Sequence, residues 1–323
     1  MTIDRMPQAS RIEEAATLID PIFLNTPLVR SEALDRALGQ EVALKVETLT
    51  PIRSFKGRGA SYLMHRLDGA ADGGVVCASA GNFGQGIAHA GRGFGVPVTV
   101  FSYQGANPLK LEAMQRFGAE IHLEGHDFDA AKSAARAFAA ATGRHFVEDG
   151  ADPAVAEGAG TIALEMDRLD ALGDLVLVAL GNGSLINGVG TWVKAHRTGT
   201  QVIGIAATGA PAMYLSWRDG RVIETASVDT IADGIAVRVP VPEALEAMRT
   251  TVDDVVLVED AAMLAAVRLT FETLGLLVEP TGAVGLAALL ADPDLGCGQR
   301  VSTILCGGNV APAQARAWLL ELP

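Results

Sequence analysis

The chain is predicted to be an α/β protein, because short, wholly apolar runs alternate with alanine-rich helical stretches. Strands that are continuously apolar and separated by helices belong to parallel sheets covered on both faces. Glycine-rich segments follow several of these runs, where open parallel sheets place their ligands. With 323 residues, 49% hydrophobic and 20% charged, there is material for two domains or one large doubly wound one.

The first element reads as helical. Ser10 and Glu13 stand at capping-box spacing ahead of Ile12, Ala15, Ala16 and Ile19, and Asp20-Pro21 closes the run. From Glu41 onward, strands are expected over 42–46, 75–78, 96–101, 120–123, 175–180, 201–205, 255–258 and 301–305. Helical patterns over 130–141, 161–172, 261–274 and 281–290 lie between them. The four strands between about 75 and 147 could form a smaller sheet of their own, inserted in the larger one.

Composition narrows the function. Lys plus Arg number 25 against 38 Asp plus Glu, a net charge of −13, and no basic cluster offers the phosphate neutralisation that nucleic acid or an anionic membrane demands. Cys77, Cys297 and Cys306 form neither a disulfide framework nor a zinc set, which fits a reducing, cytoplasmic setting. The N-terminal residues show no export signal. The longest uncharged run, 175–193, is broken by Gly-Asn-Gly-Ser and reads as strand, loop and helix.

Four segments carry the chemistry. Gly181-Asn182-Gly183-Ser184-Leu185 suits a phosphate, since glycines let the backbone approach and a following helix presents its N–H groups; it equally suits a bare tight turn. A dinucleotide site would need an acid about 20 residues on, and the next strand ends Gly204-Ile205-Ala206-Ala207, so NAD is disfavoured. Ser79-Ala80-Gly81-Asn82-Phe83 can cradle a carboxylate or simply cap a helix. Lys56, between Phe55 and Gly57, is either a solvated surface lysine or a Schiff-base amine. Cys306 opens Cys-Gly-Gly-Asn after the last strand, as a small buried side chain or a site thiol.

Taken together and in order, Ser54-Phe-Lys-Gly-Arg-Gly-Ala60, Ser79-Ala-Gly-Asn-Phe-Gly-Gln-Gly86, the Gly181 loop, Thr230-Ile-Ala-Asp-Gly234, Glu279-Pro-Thr-Gly282 and Cys306-Gly-Gly-Asn309 resemble the serine/threonine dehydratase and serine racemase family. These are fold-type II enzymes dependent on pyridoxal 5'-phosphate. The resemblance runs from about Thr26 to Asn309. It implies two open twisted sheets with the cofactor between a large domain, residues 1–70 and 150–323, and a small one, residues 71–149. It implies that Lys56 holds the cofactor as a Schiff base and acts as general base. Phe55 would lie beside the ring and Asn82 would bond its hydroxyl oxygen. Gly181, Asn182, Gly183, Ser184 and Leu185 would bind the phosphate. Cys306 would face the ring nitrogen, Gly234 and Glu279 would line its edge, and Ser79, Ala80, Gly81, Asn82 and Phe83 would hold the substrate carboxylate. The implied reaction is β-elimination from a β-hydroxy amino acid to a 2-oxo acid and ammonia, by a cytoplasmic homodimer.

The chain also departs from that pattern. Gly-Asn-Gly-Ser stands where the family has four glycines, and Asn tolerates the left-handed backbone best after glycine. Phe83 replaces a usual histidine. Ala80 stands where the family's racemases carry a second serine, so racemisation is not expected. Ala206 stands where a metal-binding glutamate is common, so no metal site is expected. No regulatory domain is expected beyond the motifs. The alternatives are β-replacement, racemisation, or cofactor binding without turnover. β-Replacement enzymes carry Pro-Thr-Gly-Ser where this chain has Arg53-Ser54 ahead of Phe55.

Overall fold

Short apolar runs rich in valine, isoleucine and leucine form most of the strands. In the computed structural model, which describes residues 6–319 except 68, 70 and 72, these are β1 (Leu28–Val29), β2 (Val42–Val46), β3 (Val75–Ala78), β4 (Val98–Ser102), β5 (Glu120–Leu123), β6 (His145–Val147), β7 (Leu175–Ala179), β8 (Gln201–Ala207), β9 (Asp254–Val258) and β10 (Val301–Leu305). The larger sheet runs β1-β2-β10-β7-β8-β9, parallel except for the short β1 on the edge. The smaller runs β5-β4-β3-β6 and is wholly parallel. Every residue of β2, β7 and β10 is buried, as strands covered on both faces must be.

Several boundaries differ from the sequence expectation. Ser10 is not a cap: the first helix spans Ala9–Leu18 with Gln8 at its N-cap, and the Gln8 backbone N–H donates to Glu157 Oε1 at 3.2 Å. A long-range tertiary bond therefore outcompetes the local capping box. The strand expected from residue 96 starts at Val98, since Pro97 has no N–H to enter a ladder. The helix expected from residue 161 starts at Pro153, where Asp152 Oδ1 accepts from the Ala154 N–H at 2.9 Å. That expected from residue 281 opens with a tighter turn, Pro280–Ala283, before the helix Val284–Ala291. Residues 1–5, 68, 70 and 320–323 of the expected large domain, and residue 72 of the expected small one, lie outside the described residues.

No helix among the described residues is long and apolar enough to cross a membrane. What matters for the site is where the carboxyl ends fall. β2, β10 and β7 are neighbours, so the segments after them, carrying Lys56, Cys306 and Gly181, emerge side by side. β3 and β6 likewise deliver Ser79 and residues 148–150 together from the smaller sheet.

Candidate active site

Lys56 begins the helix Lys56–Leu67. The turn before it is stitched to the end of β10: the Phe55 N–H donates to the Cys306 carbonyl at 3.1 Å, and the Gly308 N–H to the Arg53 carbonyl at 2.9 Å. Lys56 is not a surface lysine, its side chain being 13% exposed. Its Nζ donates to Asp149 Oδ2 and Oδ1 at 2.6 and 2.8 Å and to Ser184 Oγ at 3.0 Å. It lies 4.6 Å from the Phe55 ring centroid and 5.7 Å from that of Phe83.

Beneath Lys56 the same helix is anchored by a closed ionic network. Arg58, 0% exposed, donates Nε to Glu47 Oε2 at 2.8 Å and Nη1 to Glu165 Oε1 at 2.6 Å and Thr161 Oγ1 at 3.0 Å. Lys45 Nζ donates to Glu165 Oε2 and to the Thr26 carbonyl, both at 2.6 Å. Burial alone would lower the Arg58 pKa, but Glu47 and Glu165 outweigh it and hold the guanidinium charged.

The Gly181 loop has the shape of an anion cup. Gly183, at φ 93°, is the N-cap of the helix Ser184–His196, and no side chain caps that helix, so its first N–H groups have no side-chain acceptor. A Cβ on Gly181 would strike the Gly234 carbonyl, which closes the loop's outer side. Gly181, Asn182, Gly183, Ser184 and Leu185 are thus brought together beside Lys56. A phosphate fits this cup, because uncapped amides and the helix dipole both favour an anion there.

Cys306 and Glu279 sit buried at the far side. Burial, reinforced by the Glu279 charge, pushes the Cys306 thiol up, so it stays neutral, donating to the Thr281 carbonyl at 3.5 Å. Burial pushes the Glu279 carboxyl up to about 7, against the pull of Lys110. Glu279 Oε1 accepts from Asn82 Nδ2 at 2.6 Å, while its Oε2 is buried with no partner. Asn82 Oδ1 accepts from Asn309 Nδ2 at 2.8 Å, which sets the amide's orientation. The Gly234 N–H donates to Thr281 Oγ1 at 3.2 Å. A neutral thiol, an oriented amide and an unpartnered buried oxygen fit a flat polar ring such as pyridoxal phosphate carries.

The Ser79 loop serves two purposes. Ser79 Oγ accepts from the Gly84 and Gly81 N–H groups at 2.8 and 3.2 Å, capping the helix Asn82–Phe94 in place of Gly81. Its hydroxyl oxygen is therefore engaged by backbone, and a carboxylate here is left the amides at the helix start. Phe83 is 5% exposed and belongs to the apolar core around the smaller sheet, with Lys56 Nζ lying over its ring at 5.7 Å from the centroid.

Sequence reasoning assigned no role to Asp149, Lys110, Asp233 or Thr281. Lys110 is buried, donates to Asp233, and places Nζ 3.7 Å from where a Cβ on Gly81 would stand. Burial alone would lower its pKa, but Glu279 and Asp233 raise it above the ordinary value. Asp149 follows β6, a strand of three residues too short for periodicity to give it a range of its own; the rule that sites lie beyond parallel strand ends points to the segment after it. Among the described residues no cluster of His, Cys, Asp and Glu is arranged to hold a metal ion.

Comparison with known proteins agrees with this geometry. Residues 19–307 match the family described as pyridoxal-phosphate dependent enzyme. The chain is 36% identical over 301 residues to an L-threonine ammonia-lyase of Thermotoga maritima, covering 93% of this chain and 75% of that protein. It superposes on maize serine racemase with a TM-score of 0.89 at 28% identity, covering 95% of each chain. On the processed form of threonine deaminase isoform 2 from Solanum lycopersicum the TM-score is 0.88 at 28% identity, covering 98% of this chain and 90% of that one.

Proposed function

The chain belongs to the pyridoxal-phosphate dependent enzymes, and from that premise we propose that it is an ammonia-lyase that eliminates water from a β-hydroxy amino acid, yielding a 2-oxo acid and ammonia. One observation carries this reading: the Lys56 amine meets an uncapped helix N-terminus within a single cleft, through its 3.0 Å contact with Ser184. The similarity to a threonine ammonia-lyase over 93% of the chain supports threonine or serine as substrate, with a bulkier β-substituent allowed beside Phe83.

Pyridoxal phosphate, when bound, supplies an electron sink for the pair left on the substrate's Cα. Residues Gly181, Asn182, Gly183, Ser184 and Leu185 would hold its phosphate and Lys56 Nζ its covalent attachment. Phe55 would lie along the ring, Asn82 would reach its hydroxyl oxygen, and Gly234 and Glu279 would line its edge. Cys306, kept neutral by burial, would meet the ring nitrogen without an opposing charge. Lys56 Nζ, when it is not attached to the cofactor, would take the proton from the substrate's Cα. Backbone N–H groups of Ala80, Asn82 and Phe83 would orient the carboxylate, while Ser79 keeps the loop in shape. Lys110 places positive charge over Gly81. The β-hydroxyl would depart as water on gaining a proton, which Lys56 Nζ can return after taking the one from Cα, and water then hydrolyses the resulting imine to the 2-oxo acid and ammonia.

We take residues 71–149 as a smaller unit set in a larger one of residues 1–70 and 150–323, and the working form as a cytoplasmic homodimer. The deciding experiment incubates the purified protein with a panel of L- and D-β-hydroxy amino acids and measures 2-oxo acid release. Release from serine or threonine is expected. Cofactor binding with no release from any member would make the chain a non-catalytic binder. Chiral analysis of the same mixtures tests racemisation, which Ala80, lacking a titratable group, is not equipped to support.

A further inference from the structure

Asp149 grips the Lys56 ammonium with both carboxylate oxygens, and its own side chain is 12% exposed. The segment carrying it is pinned on each side. Glu148 pairs with Lys132 at 3.1 Å and also with Arg136. Gly150, at φ 92°, packs so tightly under the Asn182 carbonyl that a Cβ there would collide with it. Asp152 caps the helix that follows. A carboxylate held by such a segment stays aimed at Nζ, between the nucleophile and the phosphate loop.

We propose that Asp149 is the positioning residue for Lys56, receiving its ammonium whenever Nζ is not tied to the cofactor and stabilising the charge Nζ gains in proton abstraction. In that step the Cα–H bond breaks, its electron pair stays with the substrate carbon, and the proton bonds to the Nζ lone pair. An anion 2.6 Å from the nitrogen favours the charge-bearing product of this transfer. Ser184 Oγ accepts a second N–H and fixes the direction of the amine. The inference rests on the lyase reading above and deepens it.

Asp149→Asn keeps the shape and removes the charge. In the holoenzyme kcat should fall roughly tenfold or more, with KM changed by less than about threefold, because only the proton transfer is impaired. Exchange of the alanine Cα hydrogen with D2O, followed by NMR, should fall by the same factor, since alanine has no leaving group. Protein stripped of cofactor should take up added pyridoxal phosphate faster than wild type, because Nζ is no longer held in an ion pair. A residue that only shaped its loop would slow uptake and raise KM. Asp149→Glu should recover much of the exchange while Asp149→Gln, of equal length, does not; equal exchange in those two overturns the proposal even if Asp149→Asn fails to fold. Wild-type exchange and uptake in Asp149→Asn overturn it too. A wild-type protein that captures no cofactor at Lys56 would instead overturn the lyase reading.

Discussion

Lys56 and Arg58 lie two residues apart on one helix, and both are cations paired with carboxylates, yet their surroundings differ in kind. Arg58 is 0% exposed and its donors are spread over Glu47, Glu165, Thr161 and Thr26. Lys56 keeps 13% of its side chain exposed and spends its donors on Asp149 and Ser184, both at the cleft. A closed network satisfied by many partners holds a helix in place; a pair at the edge of a cleft can open and let the amine react. The difference teaches that burial depth and partner number, more than charge, set Arg58 apart as structural from the reactive role proposed for Lys56.

The largest effect that would sharpen this contrast is at Lys56. Lys56→Ala should abolish 2-oxo acid release, by roughly a thousandfold or more as for loss of an essential nucleophile and base, while leaving the thermal unfolding midpoint of the cofactor-free protein near wild type. Borohydride reduction of the wild type should fix the cofactor to Lys56. Normal turnover in the variant would break the assignment.

Arg58→Met should do the reverse. Removing one member of a buried network leaves Glu47 and Glu165 short of charge, at a cost of about 3–5 kcal/mol in stability, read by denaturant unfolding. Loss of activity at unchanged stability would place Arg58 with the site and erase the contrast.

A third carboxylate offers a smaller, pH-dependent test away from the cleft. Burial pushes Glu157 up to about 7, with the Gln8 N–H pulling the other way. Folding therefore retains a proton that the unfolded chain releases near its ordinary value, so stability falls as pH rises from about 4.5 towards 7. Glu157→Gln keeps an acceptor for Gln8 and should flatten that slope, leaving the variant about 1–3 kcal/mol more stable than otherwise expected at pH 8. An unchanged slope would show that other groups set it.

Phe83→His should move substrate preference by about tenfold or less, favouring threonine over bulkier β-substituents, because an apolar face beside Lys56 gives way to a polar one. An unchanged ranking of kcat/KM would leave Phe83 as packing alone. The smallest effect expected is from chelators. Ala206 and Ala207 end β8 without hard oxygen ligands, so activity should survive chelation; a loss restored by metal would reveal a carboxylate acting from elsewhere.

Local signals were enough for much of this molecule. Apolar runs of strand length define the parallel ladders, and Gly183 followed by an uncapped helix start marks the anion cup, because both depend on neighbours in sequence. In its immediate context Lys56 read as either a solvated lysine or a reactive amine, and only the order of the motifs around it favoured the second. Other features depended on distant partners. Ser10 was displaced as a cap by Glu157, 149 residues from Gln8, and the Ser79 oxygen went to the helix backbone. Asp149 meets Lys56 across 93 residues only because β6 pairs in register with β3, Val147 against Cys77, and carries the next segment to the cleft. Periodicity and turn chemistry are written in short windows and determine the elements. Which charge faces which is decided by sheet order and register, and those exist only once the sheets have formed.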